Sequence, residues 1–164
     1  MTLILGIDPG LQHTGWGAIQ VYGNALRFIH CGTIHSSKGT LAERLLTLHQ
    51  GITEVIDRYH PTTVAIEETF VNTNAKSSLL LGHARGALML AASLAGLPVY
   101  EYAATLVKKT VVGVGRAEKN QVSMMVKQLL PGASFDTPDA ADALAVAICH
   151  HSHKALHSRI EAMT

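Results

Sequence analysis

Cysteine is scarce in this chain. Two occur in 164 residues, Cys31 and Cys149, and neither lies in a paired spacing. That excludes a disulfide framework and points to a reducing, cytoplasmic setting. Long apolar runs are also missing. The longest nearly uncharged stretch, Gly86 to Tyr100, falls short of the roughly 18 residues of a membrane span, and Pro98 interrupts it. No basic segment precedes the first apolar run, so a secretory signal is not expected. Internal repeats, low-complexity tracts and long linkers are absent as well. Nor does either sign of charge dominate, since the net charge is +1 with histidine neutral. The whole-chain balance therefore carries no polyanion-binding signature.

What is present describes a compact protein. With 48% hydrophobic and 15% charged residues and a mean hydropathy of +0.22, the chain can fill a core as a single domain over residues 1–164. Charge is uneven locally. Between Thr69 and Lys127 the bases Lys76, Arg85, Lys108, Lys109, Arg116, Lys119 and Lys127 face only Glu101 and Glu118. Such a stretch suits a phosphate backbone, and an ordinary solvated face explains it as well.

Period-two and period-3.6 patterns divide the chain into elements. Leu3 to Asp8, Gly15 to Val21 and Leu26 to Ile34 read as strands joined by short glycine-containing turns, hence an antiparallel meander. Thr40-Leu-Ala-Glu43 has capping-box spacing, and Leu41, Leu45, Leu48, Ile52, Val55, Ile56 and Tyr59 recur on one helical face before Pro61. Thr63 to Glu67 suits a buried strand, Lys76 to Leu94 a helix, and Pro98 to Tyr102 a last strand. Helices follow over Ala104 to Lys109, Ala117 to Leu130 and Pro138 to His151, with Pro138 suited to a first helical position. The order predicts an α/β fold. Its mixed five-stranded sheet has three antiparallel strands and then parallel ones, with helices on both faces.

Four acids sit where this pattern expects apolar elements. Asp8 closes Leu3 to Ile7, Glu67 closes Val64 to Ile66, and Asp139 and Asp142 punctuate an alanine-rich helix. Each has a bland reading. Asp139 lies in a first helical turn, where the helix dipole favours an acid. Glu67 could reach water from its strand end, with Glu68 on the opposite face. Asp142, among Ala140, Ala141 and Ala143, is harder to dismiss, because a buried unpaired aspartate is strongly destabilising. Together the acids would repel one another in an apolar setting unless a cation compensates them. Oxygen ligands alone favour a hard ion, Mg²⁺ or Mn²⁺.

The blocks Gly6-Ile-Asp8-Pro-Gly10, Ala65-Ile-Glu67 with Phe70, Leu81-Gly-His-Ala-Arg85-Gly86, Tyr102-Ala, Val107 to Gly115, Ala117-Glu-Lys119 and Asp139-Ala-Ala-Asp142-Ala-Leu144 resemble the RuvC family of Holliday junction resolvases, crossover junction endodeoxyribonucleases. The match spans residues 3 to about 150. It implies an RNase H-like fold and paired nicks at four-way DNA junctions during recombination and repair, leaving 5′-phosphate and 3′-hydroxyl ends. It implies Asp8, Glu67, Asp139 and Asp142 as catalytic, metal-binding residues for two Mg²⁺ ions, with Mn²⁺ able to substitute. It also implies that Lys108 and Lys119 lie beside the DNA backbone, that Phe70 stacks on bases, and that a homodimer works with a RuvA–RuvB branch-migration complex. On residues alone the lysines read as solvated and Phe70 as a core aromatic. Gly82 and Gly86, with apolar residues on more than one face of their helix, leave surface for a second subunit.

Cys149, His150, His151, His153 and His157 form a tempting metal cluster, but a frayed, solvated helix end is the expected reading, since no closed zinc spacing is present. Other functions compete. Gly6 to Gly15 also resembles the phosphate loop of actin-like ATPases and sugar kinases, whose second half this length leaves no room for. A non-cleaving junction binder, or an RNase H-like nuclease acting on another nucleic acid, is the remaining alternative.

Overall fold

The computed structural model describes residues 1–68 and 73–161, with side chains through residue 154. Phe70 therefore lies outside the described residues. The elements in order are β1 (Thr2–Asp8), β2 (His13–Tyr22), β3 (Ala25–His35), α1 (Leu41–Tyr59), β4 (Thr63–Glu67), α2 (Ala75–Leu94), β5 (Val99–Tyr102), α3 (Ala104–Val112), α4 (Lys119–Leu129) and α5 (Pro138–Glu161). One five-stranded sheet has the order β3-β2-β1-β4-β5. β1 pairs antiparallel with β2 and parallel with β4, while β2 and β3 pair antiparallel and β4 and β5 parallel. The mixed sheet expected from the element order is the one observed.

Side-chain alternation sorts the two cores. Leu5, Ile7, Trp16, Val64 and Ile66 pack on one face with Leu48 and Ile52 of α1 and Leu88 of α2. Ile4, Ile19 and Ala65 pack on the other with Val107, Val122 and Leu144 of α3, α4 and α5. Fully burying a side chain of this size stabilises the fold by about 1.5–3 kcal/mol. Helix α1 starts at the expected capping box: the Glu43 amide donates to the Thr40 hydroxyl, and the Thr40 amide donates to the Glu43 carboxylate at 2.6 Å.

α5 lies across the sheet at unusually close range, and glycine is the cause. A Cβ at Gly6 would overlap the Ala143 carbonyl, one at Gly15 the Asp139 carbonyl, and one at Gly17 the Leu144 side chain. Three glycines on β1 and β2 thus form a bed for the alanine-rich face of α5. Thr137 caps this helix, its hydroxyl accepting from the Ala140 amide at 3.2 Å and meeting the Thr33 hydroxyl at 2.7 Å.

Two expectations need correction. The last helix runs to Glu161, well past His151. Cys149, His150 and His153 are not part of a frayed, solvated end, because Cys149 and His150 are buried and His153 Nε2 meets the Thr110 hydroxyl at 3.3 Å; the side chain of His157 lies outside the described residues. Their apolar neighbours come from β5 and α3, a contact that local sequence does not reveal. The helix expected from Ala117 begins at Lys119, with Ala117 buried beneath it.

Candidate active site

Period-two alternation places Asp8 on the face of Ile4 and Gly6, and Glu67 on the face of Ala65, so both acids point toward α5. Ile7 pairs with Ile66 in the parallel ladder, which leaves Asp8 and Glu67 adjacent at the carboxyl ends of their strands. Strand ends of this kind are where ligands gather in α/β sheets. Asp142 reaches the same place from α5. A pocket of about 230 Å³ is lined by Asp8, Glu67, Asp142, Lys108 and Lys119, with Ala104, Val107, Val122 and Ala145 as its apolar wall. Asp139 stands outside that lining, one turn nearer the helix start, but its charge still reaches Asp8 and Asp142.

Electrostatics bind these groups into one unit. Burial raises the Asp8 carboxyl well above the usual carboxylate range, and the charges of Glu67, Asp142 and Asp139 push it higher. Glu67 is lifted to about 7, first by burial and then by Asp142, against the opposing pull of Lys108 and Lys119. Asp142 is raised by burial and Asp139, while Lys119 and Lys108 pull it down. The ion pair found among the described residues joins Arg85 to Glu101 and leaves all four acids aside.

Such a set fits hard divalent cations. Buried carboxylates that resist their own charge gain from an added cation, and their oxygens are the donors that Mg²⁺ prefers. Among the described residues no three His, Cys, Asp or Glu side chains already close on a single ion. Three of the acids instead line one pocket, and all four are linked through their charges.

Two supports were not foreseen from sequence. Arg85 of α2 crosses beneath the strand ends, its Nε donating to the Glu67 carbonyl oxygen at 3.2 Å while its guanidinium pairs with Glu101 of β5. The glycine bed is the other, since Gly15 is the register partner of Asp8 and lies directly under Asp139. Glycine at alternate strand positions opposite an Ala-rich helix was the available signal. Lys119, at the first helical position of α4, and Lys108, on α3, both line the acidic pocket.

Comparison with known proteins places this geometry. The family described as crossover junction endodeoxyribonuclease RuvC matches residues 4–150. A crossover junction endodeoxyribonuclease RuvC from Brucella anthropi is 56% identical over 152 residues, covering 92% of this chain and 88% of that protein. The Afipia carboxidovorans protein is 54% identical, covering 92% and 89%. Among solved structures, Thermus thermophilus RuvC in complex with Holliday junction substrate superposes with a TM-score of 0.88 at 34% identity, over 96% of this chain and 97% of that one.

Proposed function

Since the chain belongs to the RuvC family of crossover junction endodeoxyribonucleases, we propose that its four acids hold the divalent ions of phosphodiester hydrolysis and that Lys108 and Lys119 receive the DNA backbone. The chain is a Holliday junction resolvase, an endonuclease of four-way DNA junctions. The observation that carries the proposed chemistry is the mutual charge coupling of Asp8 with Glu67, Asp142 and Asp139 beside two lysines in one pocket.

When bound, two Mg²⁺ ions, or Mn²⁺ in their place, supply positive charge to the attacking and leaving oxygens of an in-line displacement. Asp8, central at the end of β1 and coupled to Glu67, Asp142 and Asp139, would be a ligand of these ions. Glu67 and Asp142 flank it from the strand and helix sides, and Asp139 adds charge from the helix start. All four act as acceptors in their ionised form and leave the nucleophile's role to water. Lys108 and Lys119 hold the scissile phosphate's neighbours and offset the acids' repulsion of a polyanion. The cut leaves a 5′ phosphate and a 3′ hydroxyl. Phe70 follows Glu67 by three residues and stacks on a base near the crossover, an interaction worth about 1–3 kcal/mol.

A homodimer suits a substrate with two equivalent strands to cut. α2 supports it: Ala84, Leu88, Ala91 and Ala92 face the core, while Leu79, Leu90 and Leu94 are exposed and Gly82 and Gly86 look onto open space. That second apolar stripe fits another copy of itself. A RuvA–RuvB branch-migration complex is the working partner, and the cytoplasm the setting. Among the described residues no helix is long and apolar enough to cross a membrane.

The deciding experiment titrates Mg²⁺ while comparing a synthetic four-way junction with a linear duplex. Symmetric nicks confined to the junction and dependent on the ion are expected. Equal scission of both substrates, or scission in chelator, would end this reading.

A further inference from the structure

Among the described residues one buried side-chain atom has no hydrogen-bond partner, Nε2 of His150. The residue is 1% exposed, and its ring lies 4.7 Å from that of Tyr100 and 5.7 Å from that of Tyr102, centroid to centroid. Its other nitrogen, Nδ1, is 2.7 Å from the Tyr102 hydroxyl. Burial, with Lys154 and His151 nearby, lowers its pKa to about 4, so the ring is neutral at pH 7. An imidazole with one nitrogen unmet is a poor way to fill a core, because an apolar side chain of similar size leaves nothing unsatisfied. Stability therefore does not explain the residue. Its one polar contact does.

Tyr102 is the last residue of β5 and the register partner of Glu67, so their side chains share the α5 face of the parallel ladder. Its carbonyl oxygen accepts the amide of Glu68 at 2.8 Å. The backbone of Tyr102 thus holds the chain just beyond Glu67 while its hydroxyl reaches α5. On α5, His150 follows Asp142 by two steps of i+4, along one stripe of the helix. An acid and an anchor occupy the same rigid rod.

We propose that the Tyr102–His150 hydrogen bond is a positioning strut that fixes the gap between the Glu67 end of β4 and Asp142 on α5, and so sets how tightly the pocket takes divalent ions. Neither residue touches substrate. The inference rests on the reading that these acids hold the ions. The strut lies farther out than a ligand's own hydrogen-bond partner, whose removal changes metal affinity by about 10–100-fold, so the lower end of that range is expected here.

The test compares Tyr102→Phe, His150→Leu, His150→Gln and Glu67→Gln. Mn²⁺ binding is followed by electron paramagnetic resonance, Mg²⁺ dependence by single-turnover junction cleavage, and thermal midpoints are measured in chelator. Tyr102→Phe and His150→Leu should weaken Mn²⁺ binding and raise the half-saturating Mg²⁺ about tenfold, with junction affinity in chelator unchanged; the midpoint should be equal or higher in His150→Leu and lower in Tyr102→Phe, which leaves the second ring nitrogen unmet as well. His150→Gln, which can still bond the tyrosine hydroxyl, should recover most of the loss. An unaltered Mg²⁺ requirement in both strut variants would overturn the proposal, as would activity losses that track a lowered midpoint and resist excess Mg²⁺. Glu67→Gln separates the two layers: if it still cleaves, the metal reading itself fails, and if it is inactive while the strut variants behave as wild type, only the strut does.

Discussion

Asp8 and Glu67 hold their charge against the fold, and that makes their replacement informative. Asp8→Asn or Glu67→Gln should abolish junction cleavage while binding in chelator survives, measured by gel shift beside a nicking assay. The same acids predict an unusual stability profile. The Glu67 pKa of about 7 in the folded, metal-free protein lies above its ordinary 4.5, so the folded state holds that proton more tightly than the unfolded chain does. The resulting stability is present in full below about 4.5 and is lost as pH rises through about 7. Chelator-treated protein should therefore melt at a lower temperature on the alkaline side of that window, with the dependence flattened by Glu67→Gln and reversed by Mg²⁺. Scanning calorimetry checks this, and a flat profile for the wild type would mean that the carboxylates are solvated separately. Cleavage at limiting Mg²⁺ should rise with pH through the same window, because ionised carboxylates are what the ion binds.

At the scale of the element, the site depends on how closely α5 approaches the sheet. Gly15→Ala pushes a methyl group into the Asp139 carbonyl, and overpacking of this kind costs about 1–3 kcal/mol. The expected result is a lower thermal midpoint together with a slower cut, since the helix that must move carries two of the acids. Arg85→Met should remove the tie between α2 and the Glu67 carbonyl and slow cleavage more than it weakens junction binding, whereas equal loss of both would assign Arg85 to the DNA surface. These devices explain what could be read from sequence and what could not. Capping-box spacing marked the start of α1, the apolar runs closed by Asp8 and Glu67 exposed the two strand-end acids, and the odd position of Asp142 in an alanine helix marked the third. Arg85 stood out in sequence as a base within a matching block, but its tie to the site did not, because its partners are a backbone carbonyl and a residue on another strand. His150 was misread because a helix end looks solvated until the tyrosines of β5 are folded over it.

For the whole molecule, two faces must cooperate. The stripe of Leu79, Leu90 and Leu94 on α2 is exposed in the single chain, so Leu90→Glu should cost little stability in a monomer and yet dissociate the proposed dimer. Sedimentation and a cruciform-plasmid assay would read this out: the variant is expected to sediment as one chain and to nick one strand at a time. An unchanged sedimentation coefficient would remove α2 from the interface. On the DNA face, Lys119→Ala should reduce the salt slope of junction binding by about one, with a thermal midpoint like the wild type because the side chain is exposed. A slope that does not change would release Lys119 from contact with phosphate.

The glycine bed has a consequence for ion choice. Mg²⁺ sits about 2.0–2.1 Å from its oxygens and Ca²⁺ about 2.3–2.6 Å, a difference smaller than a methyl group. If the four acids hold the ions as proposed, the depth to which α5 sinks over Gly6 and Gly15 would act as a gauge of ionic radius, cut into backbone that no metal touches. Bulk added there should shift the enzyme's preference toward larger cations before it destroys the fold.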